Sequence, residues 1–219
     1  MPKNTLDIAI IDYQMSNLFS VQAACHKVGL KSQITRDINV ILEAKAAILP
    51  GVGAFGEAMN HLIELKLDKC IKEFISTGKP FIGICLGMQL LFSESEEFGH
   101  QKGLGIVEGQ VKKFDFESRS NDKFPVPQIG WNKITRNSSE WKNSLLKQNR
   151  DGDFMYFVHS YYVIPLDSTI SIALTDYGDF RFCSALSYEN VFAAQFHPEK
   201  SGQKGLKLYE EIKQQINKD

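Results

Sequence analysis

Three short apolar runs, Leu6–Ile11, Ala46–Leu49 and Phe81–Ile84, are separated by stretches whose apolar residues recur at helical spacing. That alternation constrains the fold more than any other feature of the chain. Apolar strands buried on both faces need helical cover, and parallel neighbours need crossovers of about a dozen residues or more. The stripe Leu18, Val21, Cys25, Val28 is one such crossover, capped by Ser16-Asn17 and ended by Gly29. Lys31–Thr35 reads as a weak strand, and Ile38–Glu43 as a short helix capped by Asp37. Phe55–Leu65 and Leu67–Ser76 read as helices, punctuated by Gly78 and Pro80, and a helix over Leu86–Ser93 follows the third run. Right-handed crossovers then give a parallel sheet with helices on both faces.

After Gly99 the pattern changes. Ile106–Phe114, Ile129–Thr135, Phe154–Ile164, Ile170–Thr175, Phe182–Tyr188 and Val191–Phe196 read as strands separated by Gly, Asn, Asp and Pro, which favours antiparallel pairing. Asp115–Pro127 reads as a surface loop, and Leu206, Tyr209, Ile212 and Ile216 mark a closing amphipathic helix. The expected fold is a single α/β domain over residues 1–219. It is a three-layer open mixed sheet, mostly parallel in its first half and antiparallel in its second.

Composition narrows the function. The chain has 219 residues, room for one catalytic unit and little more. With 25 Lys+Arg against 26 Asp+Glu it lacks the basic footprint of a nucleic-acid binder. No apolar run reaches the roughly 20 residues of a membrane span. Residues 1–7 carry acid where a signal peptide would have an apolar core, so a cytoplasmic location is expected.

The four cysteines show no CxxC and no zinc spacing. Cys25 and Cys70 fall on helical stripes and Cys183 in a strand, and all three read as small buried hydrophobes. Cys85 differs. Gly83-Ile84-Cys85-Leu86-Gly87 has the form of a nucleophile elbow, in which a strand turns sharply into a helix with the nucleophile at the apex. Glycines on either side let strand and helix pack closely, the helix N-terminus favours thiolate, and the Leu86 N–H points where an oxyanion would form. The competing reading is a glycine-flanked core cysteine.

A thiolate nucleophile needs a general acid–base. Of the five histidines, His26 and His61 lie on helical stretches and His100 in a polar loop. His197 ends a strand in Gln195-Phe196-His197-Pro198-Glu199, where Glu199, two residues on, can reach the imidazole and hold its orientation. Cys85, His197 and Glu199 thus have the nucleophile–base–orienter logic of a triad; His-Pro-Glu alone would be an ordinary turn. Pro50-Gly51-Val52-Gly53 directly follows a strand, so it shares the carboxyl edge of the sheet with Cys85, where ligands bind in open α/β sheets. Its backbone N–H groups can supply a second oxyanion donor, or the glycines can simply make a tight turn.

Ile84-Cys85-Leu86-Gly87-Met88-Gln89 together with Gln195-Phe196-His197-Pro198-Glu199 resembles the class I, or triad, glutamine amidotransferases. Residues 49–56, Tyr156-Phe157-Val158-His159-Ser160-Tyr161-Tyr162 and His197-Pro198-Glu199-Lys200-Ser201-Gly202 are similar to the glutaminase subunits of imidazole glycerol phosphate synthases, over nearly the whole chain. The resemblance implies that Cys85 attacks the side-chain amide of glutamine, that His197 moves the protons, and that Glu199 orients it. It implies an oxyanion hole from Leu86 with Val52 or Gly53, and chemistry that needs no metal and no other cofactor. It also implies substrate binding by Gly51, Gln89, His159, Ser160 and Tyr161, and a partner interface with Asn17, Trp131, Tyr156 and Lys200. For Trp131 the competing reading is a core tryptophan. The implied partner is a (β/α)8-barrel cyclase that receives the ammonia in histidine biosynthesis.

The chain departs from the family pattern at Gln14 and Ser16, where glycine is usual, and at Gln128, where histidine is usual. The resemblance puts these toward the partner face. The alternative acceptor is a sugar amidotransferase of surface-polysaccharide synthesis.

Overall fold

The computed structural model describes residues 6–15, 17–116, 124–137 and 141–218. Ser16 and part of the loop expected over Asp115–Pro127 lie outside the described residues.

The first half follows the expected alternation: β1 (Ile8–Ile11), α1 (Leu18–Lys27), β2 (Ser32–Thr35), α2 (Ile38–Glu43), β3 (Ala46–Gly51), α3 (Phe55–Glu64), α4 (Leu67–Ser76), β4 (Phe81–Cys85) and α5 (Leu86–Leu90). The second half is strand-rich: β5 (Phe92–Ser95), β6 (Gln101–Lys102), β7 (Val107–Lys113), β8 (Gln128–Lys133), β9 (Thr135–Arg136), β10 (Phe154–His159), β11 (Tyr161–Pro165), β12 (Ser171–Tyr177), β13 (Phe180–Tyr188) and β14 (Val191–Ala194). The helix α6 (Gly202–Ile216) closes the chain.

The main sheet has 12 strands among the described residues, and its principal path runs β2-β1-β3-β4-β14-β13-β11-β7-β5-β6. The stretch β2-β1-β3-β4-β14 is parallel, and β13 and β11 continue it antiparallel. The parallel strands β1, β3 and β4 are buried at every residue, and the pleat sends successive side chains into two different cores. Ile8 and Ile10 pack with Val21, Cys25, Leu208 and Ile212 of α1 and α6. Ala9 and Ile11 pack with Phe55, Leu62, Leu67 and Phe74 of α3 and α4. The three layers follow from that alternation.

Two expectations need correction. The helix after Cys85 stops at Leu90 instead of reaching Ser93, and Phe92–Ser95 becomes β5, parallel to β7. Leu91, Phe92 and Ser95 are buried, and in extended form the run pairs Phe92 with Val107 and Ser95 with Val111 of β7. The strand expected over Phe154–Ile164 is two strands in different sheets. Among the described residues β10 pairs only with β8, as a separate antiparallel ribbon, whereas β11 joins the main sheet, and Ser160 separates them. Continuous apolar patterning carries no mark of a change of sheet.

Among the described residues, no helix is long and apolar enough to cross a membrane.

Candidate active site

Cys85 ends β4 and precedes the first turn of α5 with φ 55° and ψ −110°. Positive φ in a non-glycine residue is strained, and such strain persists only where the surroundings over-determine it. Here the glycines do so. A Cβ on Gly87 would collide with the carbonyl of Leu49 on β3, and one on Gly83 would lie 3.0 Å from the Gly87 carbonyl oxygen. Both absent side chains let α5 sit against the strands and hold the elbow in shape.

His197 follows β14, the strand next to β4. Its Nδ1 is 2.8 Å from Glu199 Oε1, with 2% and 1% of the two side chains exposed. His197 N–H donates to the Tyr156 carbonyl at 2.9 Å, Tyr156 N–H donates to Ser201 Oγ at 3.0 Å, and Ser201 Oγ–H donates to the His197 carbonyl at 2.6 Å. The β8–β10 ribbon therefore clamps the His-Pro-Glu turn. His197 Nε2 is buried with no hydrogen-bond partner, as is common for a catalytic base before substrate is present. Burial alone would push the imidazole down, but the Cys85 sulfur and the Glu199 carboxylate beside it raise its pKa to about 10.

Two further side chains, Gln195 and Tyr13, lie near the sulfur, and neither was singled out from sequence. Gln195 Nε2 lies 3.6 Å from Cys85 Sγ, Gln195 Oε1 accepts from Gln89 Nε2 at 3.0 Å, and Gln89 Nε2 also donates to the Tyr161 carbonyl at 2.9 Å. The Tyr13 hydroxyl is buried without a partner, directly above the Cα of Gly51 where a Cβ would meet it. Burial, with the Cys85 charge nearby, pushes its ionisation well above the usual tyrosine range. Glu97 Oε2 accepts the Phe55 N–H at 2.6 Å at the start of α3, and burial pushes its carboxyl up. Gln195 was legible only as part of the strand leading to His197. Tyr13 carried no spacing signal, because it reaches the site from a distant part of the chain.

The glycine turn lies where expected, with Gly51 opposite Cys85 in the β3–β4 register. Val52 N–H is occupied by the Met15 carbonyl at 3.2 Å, and Gly53 adopts φ 110°. Gln89 has both amide protons committed inside the protein, as above. His159 Nδ1–H donates to the Tyr161 carbonyl at 2.8 Å, and its ring packs against Phe114, Phe157 and Phe182. Burial holds that imidazole down to about 3, so it is neutral. Ser160 and Tyr161 are half-buried at the junction of β10 and β11.

The outward-facing residues also come together in part. Trp131 is 52% exposed and stacks edge-on against Tyr156 at 6.0 Å, and Lys200 Nζ lies 6.0 Å from the Tyr156 ring centroid. The buried tryptophan is Trp141, whose Nε1–H donates to the Ile172 carbonyl at 2.7 Å. Asn17 precedes α1 and accepts from Ser20 Oγ at 2.9 Å. Gln14 has φ 74°, a backbone that suits the glycine usual there. Gln128 is a correction: it is fully buried and donates to Asn132 Oδ1 at 2.9 Å, so it does not lie on an outer face. β8 alternates, and Ile129 and Trp131 point outward in its place. Cys25, Cys70 and Cys183 are buried and free, and burial pushes their thiols up to about 12, 11 and 12.

The family model described as "Glutamine amidotransferase class-I" matches residues 9–212. A curated relative from Aquifex aeolicus, "Imidazole glycerol phosphate synthase subunit HisH", is 45% identical over 210 residues, spanning 95% of this chain and 97% of the relative. Its counterpart from Syntrophotalea carbinolica is 45% identical over 202 residues, spanning 92% and 96%. Among solved structures, PurLQS from Thermotoga maritima superposes with a TM-score of 0.73 at 18% identity, over 97% of this chain and 99% of that one.

Proposed function

The chain belongs to the class I glutamine amidotransferases, in the family of the HisH subunit of imidazole glycerol phosphate synthase, and on that footing we propose how it hydrolyses glutamine and where the ammonia goes. The observation that carries the reading is the buried His197–Glu199 pair beside a cysteine on a strained elbow. The Cys85 thiolate attacks the side-chain amide carbon of glutamine. The tetrahedral oxyanion forms at the start of α5, where the Leu86 N–H receives it. The C–N bond breaks as His197 gives its proton to the leaving nitrogen, so ammonia departs and a glutamyl thioester remains. His197, now neutral, takes a proton from water, whose oxygen attacks the thioester carbon and releases glutamate and the thiolate. Glu199 holds the imidazole in the tautomer that keeps Nε2 toward the sulfur.

The second oxyanion donor is not presented as the loop stands, because Val52 N–H is bonded to the Met15 carbonyl. For Val52 to serve, its N–H must part from the Met15 carbonyl. Gly51 leaves room beside the elbow for the substrate, and Gln89, His159, Ser160 and Tyr161 form the wall that would hold its amino-acid end. The neutral His159 ring acts there through the Tyr161 carbonyl it fixes, since phenylalanines enclose it.

The relatives' name implies a synthase with a further subunit, which we take to be a (β/α)8-barrel cyclase docked on Trp131, Tyr156, Lys200 and the Asn17 end of α1. Its products would be imidazole glycerol phosphate and aminoimidazole carboxamide ribonucleotide, made in the cytoplasm. The relatives carry the synthase name, and no observation favours a sugar amidotransferase as the acceptor. The test is glutamate release from glutamine with the cognate cyclase and its ligand present. Release that disappears in Cys85→Ala is expected; no release from the native pair, or undiminished release in the variant, rejects the reading.

A further inference from the structure

We propose that Gln195 is a catalytic residue of this site, whose side-chain amide donates a hydrogen bond to the Cys85 sulfur in a direction fixed by Gln89 and the Tyr161 carbonyl. The inference rests on the glutaminase reading and adds a group to it.

The polarity of the chain of contacts is determined without reference to how any amide was oriented. A backbone carbonyl can only accept, so the Gln89 atom 2.9 Å from the Tyr161 oxygen must be Nε2. The second proton on that nitrogen faces Gln195 at 3.0 Å, so the facing Gln195 atom must be Oε1. Its other terminal atom, 3.6 Å from Cys85 Sγ, is therefore Nε2, and it presents N–H to sulfur. Turning either amide over would set two acceptors, or two donors, against each other in a buried place, since Gln195 is fully buried and Gln89 nearly so.

The bond answers a need of the chemistry. A sulfur anion buried among apolar residues loses its hydration, and donors must replace the lost water. The titratable and polar groups that face Cys85 are His197 from the end of β14, the Tyr13 hydroxyl beyond β1, the Val158 carbonyl of β10 at 3.8 Å, and Gln195. The Val158 carbonyl is an acceptor and suits the neutral thiol. His197 gives up its proton to the departing nitrogen, so it is not a constant donor. The Gln195 amide keeps its protons throughout. It favours the thiolate before attack, bonds weakly to the neutral thioester, and receives negative charge again when the thiolate departs in the second half-reaction.

The experiment uses the full-length chain and iodoacetamide as the probe, with alkylation of Cys85 followed by mass spectrometry across pH. Gln195→Met keeps the length and loses the N–H. Its half-maximal alkylation point should be displaced upward by about one pH unit relative to the native chain, with alkylation on the rising limb of the profile about tenfold slower. Gln89→Met should move the profile the same way by less, because the Gln195 amide is then free to turn. Loss of packing alone would lower the melting temperature and leave the profile in place. A folded Gln195→Met protein with the native profile overturns the proposal. Should that variant not fold, the side-chain amide protons of Gln195 in the native chain supply the answer. Their NMR shift must follow the ionisation of Cys85 and lose that dependence in Cys85→Ala, and shifts indifferent to that ionisation overturn the proposal. A native chain that releases no glutamate with its cyclase defeats the glutaminase reading, whereas an active native chain with an unmoved Gln195→Met profile defeats only the role of Gln195.

Discussion

His197 Nδ1 and Glu199 Oε1 face each other at 2.8 Å with both side chains sealed from solvent. The pair is formed across the start of a short 3-10 turn, Pro198–Lys200, with His197 just before it and Glu199 inside it, so it needs no long-range luck to assemble. Glu199→Gln keeps the shape and an acceptor but removes the charge that supports an imidazolium. Glutamate release by the cyclase complex should fall by about 10²- to 10⁴-fold, with the complex still intact on gel filtration. Turnover within about threefold of the native enzyme would reject the orienting role.

His159 makes stability depend on pH. Its folded-state value is pushed down to about 3, chiefly by burial, whereas an unfolded histidine protonates below about 6.5. The unfolded chain therefore binds this proton first as pH falls, and stability is lost from about pH 6.5 downward toward 3. Denaturant unfolding at pH 7 and pH 4.5 should show the native chain losing about 2–3 kcal/mol more than His159→Asn, which cannot titrate. Equal losses in the two proteins would mean that His159 is protonated in the folded state.

Gln14 occupies a left-handed backbone at φ 74°, with its N–H bonded to Asp12 Oδ1 at 3.0 Å. The left-handed region costs an L-residue about 1–2 kcal/mol, of which a glycine's greater unfolded-state entropy takes back part. Gln14→Gly should raise unfolding stability by about 0.5–1 kcal/mol in urea titration. A destabilised variant would mean that the Gln14 side chain makes a contact outweighing the strain.

Trp131 stands half-exposed against Tyr156, beside Lys200. An exposed aromatic of this size, held by neighbours, is typical of a binding hot spot. Trp131→Ala should weaken cyclase binding by about 30-fold or more in calorimetry, and change the stability of the isolated chain by no more than about 0.5 kcal/mol. Native affinity in the variant would move the docking face elsewhere.

Much of this site was legible in the sequence because its parts are local. The Cys85 elbow and the His197–Glu199 pair are each set by spacing within five residues or fewer, and the β–α alternation of the first half put both at one sheet edge. The remainder depended on contacts between distant segments. Gln195 is meaningful only through Gln89, which is 106 residues away, and Tyr13 only through the glycine above which it sits. Gln128 and Trp131 lie three residues apart on β8 and face opposite ways, which only the pairing of β8 with β10 decides. Nothing in the apolar run of residues 154–164 announces that it leaves one sheet for another at Ser160.

The ribbon's attachment to the His-Pro-Glu turn carries a practical cost for anyone dissecting this protein. Tyr156 offers its ring to the outer cluster while its backbone carbonyl holds the His197 N–H and its own N–H is held by Ser201. One residue is both bearing and latch. Glutamate release measured for Tyr156 variants at a fixed cyclase concentration will blend lost affinity with a displaced imidazole, and only titration to saturation separates the two.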